Sequence, residues 1–250
     1  MTGYLLLEGG AEFGGKMAEP DRRAIELAGG PDVIISIIPT AAAPDNNHQR
    51  AGSNGVNWFK SLGATRVEWL PLIDRSSAND VRIANKLARS RLIYMLGGFT
   101  GYLGEMLKGS VSWQMMLRAY EGGAVIAGSS AGAMVMCQYY YDPDKGQVVE
   151  GLNLVPNSCV LPHHNTFGKN WAQRMTRLLP GAVLLGIDER TGMIDDGDEG
   201  DEGDEGNEGN EGEAGRKKSW RVYGEGAVTL YRKGKPTVYQ AGETFRDDFR

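Results

Sequence analysis

Residues 124–135 read AVIAGSSAGAMV. The first four are apolar, as in a strand covered on both faces. Next come Gly128-Ser129-Ser130-Ala131-Gly132, with the spacing G-x-S-x-G, and a helical stretch starts at 131–137. A strand that turns sharply into a helix at a serine is the nucleophile-elbow arrangement, with Ser130 at its centre. Small neighbours suit such a corner, because the backbone passes close to adjacent elements. The Ala131 N–H, free at the helix start, is aimed at the same point and can stabilise a developing oxyanion. Glycine-rich turns also bind phosphates, but here a buried strand precedes the serine and a helix follows it.

Strand and helix patterns alternate on both sides of this corner. Upstream, strands are expected at 4–7, 33–38, 66–70 and 92–96, with helices at 20–27, 49–62, 79–88, 101–107 and 112–121. Downstream come a short strand at 158–161, a helix at 167–179 and a strand at 183–187. This rhythm predicts a three-layer α/β/α sandwich around an open, mostly parallel sheet, with function collected at the carboxyl ends of the strands. Segments 192–194, 220–223, 227–231 and 237–239 are short and alternating, divided by Gly224 and Lys233-Gly234. They predict C-terminal antiparallel hairpins appended to the main sheet. A single domain over residues 1–250 accommodates all of these elements.

The net charge of −5 is misleading. Residues 195–214, DDGDEGDEGDEGNEGNEGEA, hold 11 of the 32 acidic side chains, so the rest of the chain has 27 bases against 21 acids. Nothing in that stretch can pack, and its like charges repel. It reads as a solvated loop insertion at 195–218, with Arg216-Lys217-Lys218 balancing its end. Divalent-cation binding there lacks the ligand order of calcium loops.

Several classes are excluded. No apolar run reaches the ~18 residues that cross a bilayer. The opening MTGYLLLEGG has no basic flank, so no signal peptide is expected and a cytoplasmic location follows. Cys137 and Cys159 read as reduced core residues. With three histidines, no metal site and no cofactor are expected. No basic patch with interleaved aromatics suggests nucleic acid.

A serine nucleophile needs a base. His48 lies in a polar helix start and reads as an exposed cap. His163 and His164 end the strand at 158–161, on the edge where the elbow points, and either suits the role. The acid that orients the imidazole is open among Glu189 and Asp188, after the strand at 183–187, and Asp142, Asp144 and Glu150, after the elbow helix. Gly97-Gly98 closes another strand, as a tight turn or as a second oxyanion donor. A serine–histidine pair predicts activity lost at acid pH, as the base protonates.

Further matches lie in Gly9-Gly10-Ala11, Ile38-Pro39-Thr40-Ala41, Leu96-Gly97-Gly98, Pro162-His163, Gly186-Ile187-Asp188-Glu189-Arg190-Thr191 and Gly224-Glu225-Gly226-Ala227-Val228. With Gly128-Ser129-Ser130-Ala131-Gly132-Ala133, they make the chain resemble the serine peptidases that include aspartyl dipeptidase (peptidase E) and cyanophycinase. The resemblance spans nearly the whole chain and implies a class I glutamine amidotransferase-like fold. It implies Ser130 as nucleophile, His163 as base and Glu189 as supporting acid, with Asp144 the alternative acid. Gly98 and Ala131 would supply the oxyanion N–H groups. The implied activity is hydrolysis of an aspartyl peptide bond, α- or β-linked, in a small peptide or a cyanophycin-like substrate, through an acyl-enzyme. An Asp-X dipeptidase, or a binding protein that keeps the elbow only as a turn, are the alternatives. A homodimer is compatible with this reading. Two departures stand out: Phe99-Thr100-Gly101 follows the glycine pair, where the family usually has Asn-Thr or a Gln-bearing segment. Asn165-Thr166-Phe167-Gly168-Lys169-Asn170 replaces the arginine-bearing stretch of cyanophycinases, so hydrolysis is better supported than cyanophycin as substrate.

Overall fold

A computed structural model describes residues 2–197, 219–246 and 249 of the chain. In order, the first elements are β1 (Leu5–Glu8), α1 (Ala18–Ala28), β2 (Ile34–Ile38), α2 (His48–Ser61), β3 (Arg66–Trp69), α3 (Arg75–Ala78), α4 (Val81–Leu87), β4 (Leu92–Met95), α5 (Thr100–Leu107) and α6 (Val111–Glu121). The elbow region contributes β5 (Val125–Ser129), α7 (Ala131–Met136), β6 (Cys137–Asp142) and β7 (Gln147–Glu150). Then follow β8 (Val155–Leu161), α8 (Ala172–Leu178), β9 (Val183–Ile187), β10 (Thr191–Ile194), β11 (Ser219–Gly224), β12 (Ala227–Arg232), β13 (Lys235–Gln240) and β14 (Thr244–Arg246).

The central sheet has the order β14-β11-β10-β1-β5-β4-β2-β3. Its strands β1, β5, β4, β2 and β3 are mutually parallel, as uninterrupted apolar runs suggest. Successive side chains point to opposite faces and feed two cores. Leu5, Leu7, Ile93, Met95 and Ile126 pack with the α4–α7 side, among Leu87, Leu107 and Met116. Leu6, Ile35, Ile37, Tyr94 and Val125 pack with Ala24 and Ile25 of α1 and Phe59 of α2. Helices therefore cover both faces, giving the α/β/α layering, with antiparallel strands toward the C-terminus.

The strands at 158–161 and 183–187 do not join this sheet. They lie in β8 and β9 of a second sheet, ordered β13-β12-β9-β8-β6-β7. The physical cause is α7. Its six residues are all buried, and a helix apolar all round must be covered on every side. It packs on β1, β4 and β5 of one sheet and on β6 and β8 of the other. At Cys137 the chain passes directly into β6, whose tyrosine-rich CQYYYD favours a strand over further helix. The C-terminal strands divide as well: β11 and β14 extend the first sheet, while β12 and β13 extend the second.

The acidic insertion expected at 195–218 lies outside the described residues from position 198 on. Its first residues depart from the expectation of a solvated loop. Asp195 accepts the Leu5 N–H at 2.6 Å, and buried Asp196 takes Arg23 Nε at 2.5 Å and the Tyr223 hydroxyl at 2.8 Å. Fixed, charge-assisted donors hold both carboxylates against the body. Cys137 and Cys159 are free and buried; burial pushes the Cys137 thiol up to about 12 and raises Cys159 too, so neither is a nucleophile. Among the described residues no helix is long and apolar enough to cross a membrane.

Candidate active site

The parallel strand ends of the central sheet deliver three backbone corners side by side: Gly9-Gly10 after β1, Ser130 after β5 and Gly97-Gly98 after β4. Ser130 has φ 48° and ψ −109°, outside the usual regions for a residue with a Cβ. Its N–H donates to the Glu8 carbonyl at 3.0 Å, which fixes the corner. The flanking glycines are sterically required. A Cβ on Gly128 would lie 2.4 Å from the Gly132 carbonyl carbon, and one on Gly132 would lie 2.2 Å from the Met95 carbonyl oxygen.

His163 and Glu189 come from the second sheet, two residues beyond the ends of the adjacent parallel strands β8 and β9. The His163 N–H donates to Gly9 O at 2.7 Å, and the Arg190 N–H donates to Gly10 O at 3.0 Å. These bonds stitch the second sheet to the first, so the site straddles their seam. The imidazole Nε2 is 3.1 Å from Ser130 Oγ, and Nδ1 is 2.8 Å from Glu189 Oε1. One face of the ring meets Gly10; Phe167 stacks on the ring with centroids 4.9 Å apart and planes 23° apart. Glu189 is itself anchored, its N–H donating to Asn165 Oδ1 at 3.0 Å.

The other residues singled out in the sequence lie elsewhere. Asp144 is exposed in the β6–β7 turn, where its N–H caps onto buried Asp142 at 3.0 Å. Glu150 pairs with Lys108 on the surface. Asp188 accepts the Ala227 N–H at 3.0 Å and sits 3.4 Å from His164 Nδ1, while His164 Nε2 meets the Tyr231 hydroxyl at 2.9 Å. These contacts tie the ends of β8 and β9 to β12, and the ring that meets Ser130 is that of His163. His48 is half-buried against the edge of Trp69, not an exposed cap. Gly98, at φ +136°, lies against Ala41: a Cβ there would come 2.4 Å from the Ala41 carbonyl oxygen. Among the described residues neither the Gly98 nor the Ala131 N–H donates a hydrogen bond, so both are available to a ligand oxygen.

Three further acids lie beside this site and belong to no motif in the sequence. Glu12 Oε2 accepts the Ser129 hydroxyl at 2.7 Å, and its Oε1 is 3.4 Å from the Gly97 N–H. It lines a cleft of about 330 Å³ together with Gly98, Phe99 and Arg50. Glu8 and Asp21 are fully buried behind it, Glu8 bonded to the Tyr94 hydroxyl and Asp21 to Trp58 Nε1 at 2.7 Å. Glu8 could have been flagged by its apolar context in LLLEGG, whereas Asp21, in the charged stretch EPDRRAI, carries no local signal of burial. Glu8 Oε1 and Asp21 Oδ1 are buried with no hydrogen-bond partner among the described residues, and burial first, with the neighbouring Asp21 charge second, favours the protonated form of Glu8. Among the described residues no group of three or more His, Cys, Asp or Glu side chains is disposed to hold a metal ion.

This carboxyl pair makes stability depend on pH. Burial pushes Asp21 up to about 7 and holds Glu8 well above the ordinary range. The folded chain thus keeps protons that the unfolded chain releases near pH 4, and raising the pH favours unfolding. Tm is expected to fall between pH 5 and pH 8, by an amount equivalent to roughly 2 kcal/mol or ~4–8 °C. Asp21→Asn should flatten that slope, since it removes one of the two raised carboxyls while its amide oxygen can still accept from Trp58. Parallel dependences of Tm on pH for the two proteins across this range would refute the part assigned to Asp21.

The chain has relatives of known family. The model of peptidase family S51 matches residues 5–202. The cyanophycinase of Synechococcus elongatus is 28% identical over 214 residues, covering 78% of this chain and 63% of that protein. This chain therefore spans less than two thirds of that relative's length. The cyanophycinase of Geminocystis herdmanii is 30% identical over 204 residues, covering 75% of this chain and 72% of that one. Among solved structures, a peptidase from an acI-B1 Actinobacterium matches with a TM-score of 0.82 at 27% identity, over 99% of this chain and 98% of the other. A putative peptidase E protein from Listeria monocytogenes EGD-e shares the fold, with a TM-score of 0.59 at 23% identity over 78% and 94% of the two chains.

Proposed function

Since the chain belongs to peptidase family S51, we propose that it is a serine-type peptidase that cleaves a peptide bond at an aspartyl residue, α- or β-linked. The observation that carries this reading is the continuous relay from Ser130 Oγ to His163 Nε2 at 3.1 Å and from His163 Nδ1 to Glu189 at 2.8 Å. Ser130 Oγ attacks the scissile carbonyl while Nε2 takes its proton. Glu189 holds the proton on Nδ1, so that Nε2 carries the free lone pair, and it stabilises the imidazolium that forms. The N–H groups of Gly98 and Ala131 receive the oxyanion. His163 then returns its proton to the leaving amine, and water, activated by the same ring, releases the acyl group from Ser130. The strained Ser130 backbone supports this assignment, because such geometry persists where the surroundings impose it and is concentrated at reactive centres.

The substrate reading leans on relatives that are named cyanophycinases and on a structural neighbour named as a peptidase E protein. The polymer-like substrate is the first reading and an Asp-X dipeptide the second. Incubation with β-Asp-Arg polymer and with a series of α-linked Asp-X dipeptides tests this directly. Release of β-Asp-Arg units is expected, or, on the second reading, free aspartate. If neither substrate type is cut by folded protein, the aspartyl assignment fails.

A further inference from the structure

We propose that Glu12 forms a cation-binding subsite beside the reaction centre, so that the peptides cut fastest carry a positive charge, an α-ammonium or a guanidinium, close to the scissile carbonyl. The proposal rests on the peptidase reading above and specifies what that site selects. Glu12 is bonded to Ser129 and lies 3.4 Å from the Gly97 N–H. Gly97 adjoins one proposed oxyanion donor, Gly98, and Ser129 lies two residues before the other, Ala131. The carboxylate is thus wedged between the ends of β4 and β5, next to the place where negative charge develops.

No ion pair involves Glu12 among the described residues. Its donors are a neutral hydroxyl and a backbone N–H, and it is one wall of the cleft that opens beside Gly98 and Phe99. A fixed anion here raises the energy of the oxyanion, all the more in a site that water leaves on substrate binding. A substrate cation seated on Glu12 cancels that penalty and forms a charge-assisted hydrogen bond. The gain is larger in the transition state than in the ground state, since only then is there a second negative charge to offset, so it enters kcat/KM. A neutral substrate leaves the carboxylate unpaired at the worst moment. The cleft's Arg50, which makes no hydrogen bond or ion pair among the described residues, leaves a cation at the same cleft for a carboxylate of the substrate.

Two matched pairs of peptides test the subsite. One pair is an aspartyl anilide with its α-amine free or acetylated. The other is a β-Asp-Arg peptide and its citrulline counterpart, which has the same shape without the charge. In the unmodified protein the cationic member of at least one pair should exceed its neutral partner by ~10–100-fold in kcat/KM. Glu12→Gln, which keeps an acceptor for Ser129, should slow that cationic member and speed the neutral one, so the preference collapses. A merely structural role for Glu12 would slow both members alike. Loss on acetylation alone identifies the α-ammonium, and loss on the citrulline change alone identifies the guanidinium. Equal rates within both pairs, or a Glu12→Gln protein that slows cationic and neutral peptides equally, would overturn the proposal. Should that variant not fold, Glu12→Asp, which draws the carboxylate back by one methylene, should weaken the same preference, and equal rates within both pairs in the unmodified protein overturn the proposal by themselves. Labelling by an uncharged fluorophosphonate separates the layers. Ser130 labelled without any charge preference refutes the subsite alone; Ser130 unlabelled with no peptide cut refutes the peptidase reading and the subsite together.

Discussion

Ser130→Ala is expected to lower kcat by about 10⁴–10⁶-fold while the protein stays folded, and His163→Ala should cost nearly as much. The reason is geometric. The hydroxyl is a weak nucleophile until Nε2, 3.1 Å away, removes its proton, and with three histidines in the chain no other imidazole is placed to substitute. His164 is committed to Tyr231 and Asp188, and His48 lies against Trp69. Because the two groups act as one unit, the double variant should be scarcely slower than either single one. The residual rate reflects the oxyanion donors and substrate binding alone. Glu189→Gln should cost somewhat less, ~10³–10⁴-fold, because an amide at 2.8 Å from Nδ1 can donate to the ring and favour the wrong tautomer. Steady-state kinetics with circular dichroism on each variant checks this. An additive double variant, or a folded His163→Ala protein with ordinary turnover, would contradict it.

Gly10→Ala is expected to cost ~10²-fold or more in kcat without touching any ionisable group. A Cβ at this position would lie 2.3 Å from His163 Cε1, 2.6 Å from Nε2 and 2.8 Å from Nδ1. The ring cannot retreat freely, because Phe167 covers it and the His163 backbone N–H is tied to the Gly9 carbonyl. The added methyl must therefore push Nε2 out of line with Ser130, and about an ångström of misplacement is enough for such a loss. Gly10 also has φ +113°, so the variant should lose some stability, and the assay is run at a temperature where it is fully folded. Unchanged kcat would mean that the loop after β1 does not hold the imidazole in place.

The two effects illustrate what local sequence carries and what it does not. The corner at Ser130 is legible because strand, turn and helix are contiguous, and the small residues required there are written into G-x-S-x-G. The parallel core strands are legible for the same reason, since VIISII and AVIA announce burial on both faces. Which strands share a sheet is another matter. Periodicity within 158–161 or 183–187 says nothing about the neighbour, and only the full burial of α7 between two layers explains why β8 and β9 leave the central sheet. The β6–β7 hairpin stayed hidden because Cys137 continues the apolar helix pattern before the tyrosines assert themselves. The carboxylates show the limit most plainly. Glu189 and Asp144 are equally plausible acids on spacing, yet one lies at the imidazole and the other in an exposed turn. Glu12 carries no local signal at all: it reaches Ser129 and Gly97 across 117 and 85 residues of chain.

The seam between the sheets also gives a physical reason for the site's position. Ser130 belongs to the central sheet, whereas His163 and Glu189 belong to the second, and the bonds to Gly9 and Gly10 set their separation. Any change that slides one sheet against the other alters the Ser130–His163 distance before it alters either side chain's own surroundings.

Reaction with a fluorophosphonate, followed by mass-spectrometric mapping of the adduct, tests the central claim most directly. One adduct per chain is predicted, on Ser130, absent from Ser130→Ala and slowed by orders of magnitude in folded His163→Ala. An adduct on another residue, no adduct on folded protein, or equal labelling without the imidazole would contradict the account.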